Sequence, residues 1–349
     1  MYIFFLITLL VPMLALRRRT EADGPVLDSR STQCIKGILC IYVMLHNLGL
    51  DLPNDQFKEL ICEHAGGVGV GLFFFLSAFG IIRSYQSKGN KYLPKLLFIH
   101  IPKLWLVAVF INALTYFSFM RGELEPLDAC LRILNLDLFI GFNRINRHGW
   151  YIASIIALYI IFAVIYYLFS KLKTDKKFVI AGIVMALVPI AFRIAAKVAH
   201  QGGMYTRELP AFAIGCIYAT FYDQINKLAK KYYLPALLVS LIAFVIGYVS
   251  IEAIATYAST VIVILISQKY TYYNKVTYFL GKICIGVYLF LHYSSIVLKS
   301  FIYNEYLWVL LNAGFIFEAA IFIYAAQYSI EWLIRRGSNI ISKGKQKIA

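Results

Sequence analysis

Apolar stretches long enough to enter a bilayer recur along the whole chain, and polar, mostly cationic gaps separate them. The runs are 1–16, 34–50, 66–84, 96–119, 150–170, 178–199, 207–222, 233–250, 253–268, 278–299 and 306–333. Most approach or reach the roughly 17–25 residues that carry a helix across a hydrocarbon core about 30 Å thick. A further apolar segment, 127–142, is short and carries Arg132 and Asp137, so it reads as a re-entrant or interfacial helix and not as a span. The pattern predicts an all-α, polytopic membrane bundle of about 10–11 transmembrane helices around a polar cavity.

Charge gives the bundle its direction. The gaps with Arg83, Lys88, Lys91 and Lys95, with Lys171, Lys173, Lys176 and Lys177, and with Lys227, Lys230 and Lys231 mark the cytoplasmic face. The loop 51–64 carries Asp51, Asp55, Glu59 and Glu63 against Lys58 alone and belongs outside. On this scheme the first helix starts outside, Arg17–Arg19 and the linker to residue 30 are inside, and so is the tail. The chain divides into an extra N-terminal helix with its linker (1–33), a membrane domain (34–334) and a basic cytoplasmic tail (335–349).

Composition agrees. Hydrophobic residues make up 60% of the 349 and charged residues only 15%, against about 25% in soluble domains. The net charge of +16 sits in the gaps between apolar runs and forms no soluble patch, so nucleic acid is not a partner. The six cysteines, at 34, 40, 62, 130, 216 and 284, have no metal-ligand spacing and read as small apolar residues.

Several polar residues stand out against this background. His46 lies roughly 15 Å along its helix from Lys36, near mid-membrane. An ionisable side chain there faces a wet cavity, or else is a neutral imidazole bonded between helices; both readings stand open. Ser77, about eleven residues into its inward helix, is expected in the same layer as His46. A Ser–His pair would suit covalent catalysis, but a serine bonded to its own helix backbone is the favoured reading. His292 sits at similar depth, and Arg193 toward the outer end of its helix; a buried arginine costs several kcal/mol unless paired or hydrated, which favours a polar cavity. An interfacial aromatic belt accounts for Trp150, but only loosely for Arg147 and His148 beside it. The glycines of GGVGVGLFFFLSAFGII suit close helix packing better than a phosphate loop, because no strand precedes them.

Five of these segments, in order, are similar to landmarks of the membrane acyltransferase 3 family: Lys36-Gly37 with His46; Gly69 to Phe79; Arg147 to Tyr151 with Tyr159; Arg207 with Phe212 and Gly215; and Tyr288-Leu289 with His292. The chain departs from the family in Lys36 where Arg is usual, one residue fewer before His46, Gly71 for Asp and Ala78 for Gly. The resemblance implies an integral membrane O-acyltransferase that moves acetyl from acetyl-CoA onto a hydroxyl of a cell-surface or exported glycan, in a bacterial plasma membrane. It implies His46 as general base or acyl relay. Lys36 and Arg83 would hold the donor phosphates, while Lys95 reads as ordinary inside charge. The acceptor or cavity wall would include Ser77, His148, Trp150, Arg193, Arg207 and His292. Acetyl-CoA is a substrate, and no bound cofactor or metal is expected. The shortened spacing rotates Lys36 by about 100° relative to His46, which could turn it toward lipid headgroups. The alternative is a transporter or flippase for a lipid-linked saccharide; inverted repeats or paired broken helices would favour it, and none is evident.

Overall fold

The structure, a computed structural model, describes residues 14–20, 23–50, 63–136, 145–198, 207–299, 301–302 and 304–348. It is an all-α polytopic helical bundle. The apolar runs form its helices: α1 (Ser29–Leu50), α2 (Glu63–Lys88), α3 (Ile101–Thr115), α4 (Pro126–Ile133), α5 (Gly149–Ser170), α6 (Lys177–Val198), α7 (Pro210–Thr220), α8 (Tyr222–Lys231), α9 (Tyr233–Ser250), α10 (Glu252–Lys269), α11 (Lys275–Lys299) and α12 (Glu305–Ile348). Asp28 caps α1 by accepting the Ser31 N–H at 2.7 Å. Gly89, at φ +59°, ends α2 at the basic turn; the chain then re-enters through π-helical Leu96–His100 into α3.

Six helical runs among the described residues are long and apolar enough to cross a membrane. One of them, Ala65–Met120, is broken at Gly89 and holds an inward and an outward limb. Helices α1, of 22 residues, and α10, of 18, have spanning length with a more polar composition.

Two expectations change. The run 207–222 is not one long helix: α7 has 11 residues, about 16 Å, and the chain leaves it at Phe221 for the amphipathic α8. The basic tail is helical, since α12 continues from Glu305 to Ile348. The first helix, expected over 1–16, falls almost wholly outside the described residues, and its end is a strand. Leu16–Arg18 (β1) pairs antiparallel with Tyr270–Tyr272 (β2), Arg17 opposite Thr271. Arg19 extends this ribbon by donating its backbone N–H to Lys269 O at 2.8 Å. The ribbon places the basic segments 17–19 and 269–275 on one face of the bundle, as the charge pattern requires.

The segment expected to be re-entrant or interfacial contains the short α4, and its continuation 137–144 lies outside the described residues. Trp105 and Asn112 of α3 donate to the carbonyls of Leu134 (2.7 Å) and Arg132 (3.0 Å). Those side chains satisfy helix-end carbonyls that would otherwise be costly away from water.

The centre of the bundle is α1 between α2 and α11. Gly37 lies on the Thr277 carbonyl and Gly281 on the Gln33 carbonyl, so a Cβ at either would overlap backbone of the facing helix. This close approach fixes the register of the two helices, which carries the site.

Candidate active site

Helices α1 and α11 both run outward. Gly37 faces Thr277 and Gly281, so it lies level with the middle of that turn, position 279. Nine residues on, His46 (46 − 37 = 9) is therefore level with Tyr288 (288 − 279 = 9). Helix α2 runs the other way, with Gly66 against the His46 ring and Gly69 against Val43. Tyr288, His148 and His292 close the layer: the His148 ring lies 5.1 Å from Tyr288 and 6.2 Å from His292, and it interacts electrostatically with His46. His148 is buried, while His46 and His292 are half-buried. Three histidines from α1, α11 and the start of α5 thus converge on one layer.

Ser77 is not in that layer. In the antiparallel register it faces position 35, beside Lys36, which is 11 residues or about 16 Å inward of His46. Nor does it bond its own helix: its hydroxyl meets those of Tyr151 and Tyr159 from α5. The expected Ser–His layer fails because two antiparallel helices bring together residues whose numbers have a constant sum, here 112 from both 46 + 66 and 43 + 69.

A cavity of about 890 Å³ opens between the inner ends of α1, α2, α3 and α11. Six cations line it: Lys36, Arg83, Lys88, Lys95, Lys103 and Lys282. Asp28 is the one carboxylate among the described residues of its wall, and it caps α1. Lys36 faces this cavity two turns into α1, not the lipid headgroups. Arg83 stacks over Tyr222 at 4.3 Å. Lys95, read from sequence as ordinary inside charge, is on the wall as well. Lys103 is held by Glu331 at 3.2 Å. Toward its outer end the cavity is lined by Tyr151, Cys284 and Tyr288, with Ser77 and Tyr159 further in. The Tyr151 and Tyr288 rings meet edge to face at 5.6 Å, and Tyr288 is in contact with His148 beyond.

The remaining outer residues form a separate network. Arg207 pairs with Glu208 (2.7 Å) and in bidentate fashion with Glu252 (2.7 and 3.0 Å). Arg193 donates to the Tyr257 hydroxyl at 2.6 Å, and that hydroxyl donates to the Arg207 carbonyl at 3.2 Å. Burial pushes the Glu208 carboxyl above its ordinary range, against the pull of Arg207. Both arginines are thus engaged in tying α6, α7 and α10 together, and Arg207 lies against Gly67, the residue next to the Gly66 that faces His46. Trp150 packs between Phe74 (6.2 Å) and Tyr151 (6.4 Å).

Glycine at 71, where the family resemblance leads one to expect Asp, also has a structural reason. A Cβ there would overlap Thr256 of α10. The family model of an acyltransferase domain, acyltransferase 3, matches residues 30–339. The chain belongs to the acyltransferase 3 family. No match was found among curated proteins or among solved structures. This acyltransferase 3 domain takes in every residue of the histidine layer and all but Pro25–Ser29 of the cavity wall; β1 precedes it. The protein is a membrane-embedded acyltransferase with several spanning helices.

The sequence reading singled out His46, Lys36 and Arg83 but gave no role to Tyr288 or to the cavity cations Lys88, Lys103 and Lys282. The signal for Tyr288 was its place one turn before His292, on the same helix face.

Proposed function

We propose that this acyltransferase moves acetyl from acetyl-CoA to a hydroxyl of a cell-surface or exported glycan, in a bacterial plasma membrane. One observation carries the reading: a cavity lined by six cations on the inner side reaches Tyr288, whose ring contacts His148, and His148 in turn lies against His292 and interacts with His46. Six cations around one carboxylate suit a polyanion such as the phosphates of coenzyme A. The slim pantetheine arm would lie along Ser77 and Cys284, with the thioester at Tyr288. A volume near 890 Å³ is of the size that holds such an arm.

His46 acts as general base on the acceptor hydroxyl. Its half-buried ring is accessible enough to meet a substrate, and Gly66 fixes its position. His148 and His292 border the acceptor side of the same layer. Lys36 and Arg83 bind the donor. Arg193 and Arg207, committed to the outer network, shape the entry to the acceptor side by holding its helices.

The test is the O-acetyl content of surface polysaccharide from a strain lacking the gene. Loss of O-acetyl, restored by the wild-type chain and not by His46→Ala, is the expected result. Unchanged O-acetyl in the deletion strain would refute the glycan reading.

A further inference from the structure

Attack of a hydroxyl on a thioester puts negative charge on the carbonyl oxygen, and acyl-transfer sites supply hydrogen-bond donors where that charge develops. Backbone N–H groups commonly fill this role, but interior N–H groups of the wall helices are already bonded i to i−4. That leaves the N–H groups in the first turn of α5, around Tyr151, and the side chains.

The side-chain candidates are few. The Ser77 hydroxyl lies between those of Tyr151 and Tyr159, and Ser77 stands at the level of Lys36, about 16 Å from the His46 level. Cys284 is one turn inward of Tyr288, and a thiol is a weak donor. Tyr288 differs in three respects. It is level with His46, it faces both the cavity and His148, and its hydroxyl has no hydrogen-bond partner among the described residues. Glu208 interacts electrostatically with Tyr288, but Arg207 neutralises that carboxylate.

Building on the acyl-transfer reading, the geometry points to Tyr288 as the catalytic residue whose hydroxyl holds the oxyanion of the transferring acyl group. The acceptor oxygen bonds to the thioester carbon while its proton passes to the His46 imidazole. The carbonyl π electrons move onto oxygen, and Tyr288 O–H donates to it. Collapse restores the carbonyl, breaks the C–S bond, and returns the proton from His46 to the departing thiolate. The ester and the free thiol are the products, and no further reactant is needed.

Tyr288→Phe removes one hydroxyl and keeps the ring that packs on His148 and Tyr151. With acetyl-CoA and de-O-acetylated polysaccharide from the deletion strain, kcat should fall about 100-fold, the loss seen when one such donor is removed. The Michaelis constant for acetyl-CoA should stay within twofold of wild type, because this bond strengthens only in the transition state. Activity within threefold of wild type, or a loss carried by the donor Michaelis constant, overturns the assignment. If the detergent-solubilised variant shows no thermal transition, 3,5-difluorotyrosine at 288 takes its place. Its lower phenol pKa should bring an alkaline loss of kcat at lower pH than in wild type, and an unmoved pH profile overturns the assignment. A wild-type protein inactive in this assay sinks the reading of transfer from acetyl-CoA to this glycan; an active wild type with an equally active variant sinks only the role of Tyr288.

Discussion

Gly66 lies directly on the His46 imidazole: a Cβ built at Gly66 would overlap His46 Cδ2, Nε2 and Cγ. The glycine is therefore part of what orients the ring, and an added methyl must displace it.

Gly66→Ala should leave a folded protein, since the atoms in the way belong to a side chain and not to backbone. The proposed base would sit on the order of 1 Å from its working position, and misplacement of that size costs about 100-fold in rate. The expected result is a kcat reduced about 100-fold with an unchanged thermal midpoint. His46→Ala should abolish transfer with the same retention of fold. Full activity in either variant removes His46 from the mechanism.

Lys36 lines the cavity two turns into α1, where the proposed donor phosphate would reach it. Lys36→Ala should raise the Michaelis constant for acetyl-CoA about tenfold and change kcat less, because phosphate binding is nearly equal in ground and transition states. Lys36→Arg should be tolerated or bind the donor more tightly, through its planar fork. Donor kinetics in detergent decide it: an unchanged Michaelis constant in Lys36→Ala would leave Lys36 as a topology residue and shift the phosphate site to Arg83.

The outer network makes a prediction about stability. Burial holds the folded-state pKa of Glu208 above its unfolded value near 4.3. The sign follows from proton linkage. The folded state binds the proton more tightly, so this group favours folding at pH below the unfolded value. That contribution is lost as pH rises through the raised folded value. The difference in thermal midpoint between wild type and Glu208→Gln should therefore move against wild type as pH rises from 4 to 8. A difference that is flat with pH, or moves in wild type's favour, contradicts a raised pKa.

Most of the bundle was legible because a spanning helix is a local property: twenty apolar residues between basic gaps read the same in any context. Pro210–Thr220 escaped because it is apolar throughout, and only the turn at Phe221 shows that it stops after 11 residues. The cavity cations escaped for a related reason. Lys88, Lys95, Lys103 and Lys282 resemble loop or helix-end charge in sequence, and only the packing of α1, α2, α3 and α11 turns them toward one space. His46 was visible because one histidine in a long apolar run needs a reason. That it stands level with Tyr288 depends on the offset between two parallel helices, fixed by Gly37 and Gly281, which no single stretch contains.

That same dependence on register decides Ser77. Depth along separate helices suggested that Ser77 and His46 share a layer, but the facing pairs Gly66–His46 and Gly69–Val43 put Ser77 opposite residue 35. Some 16 Å of helix then separates it from the proposed base, far beyond the roughly 3 Å over which a base activates a hydroxyl. Its hydroxyl is instead shared with Tyr151 and Tyr159, which fixes two rings of the cavity wall. Ser77→Ala should therefore retain activity, reduced about threefold to tenfold as those rings loosen. Single-turnover incubation with radiolabelled acetyl-CoA should leave no label on Ser77 after denaturation. Label trapped at that position would require a covalent route and would move the chemistry from the His46 layer to the level of Lys36.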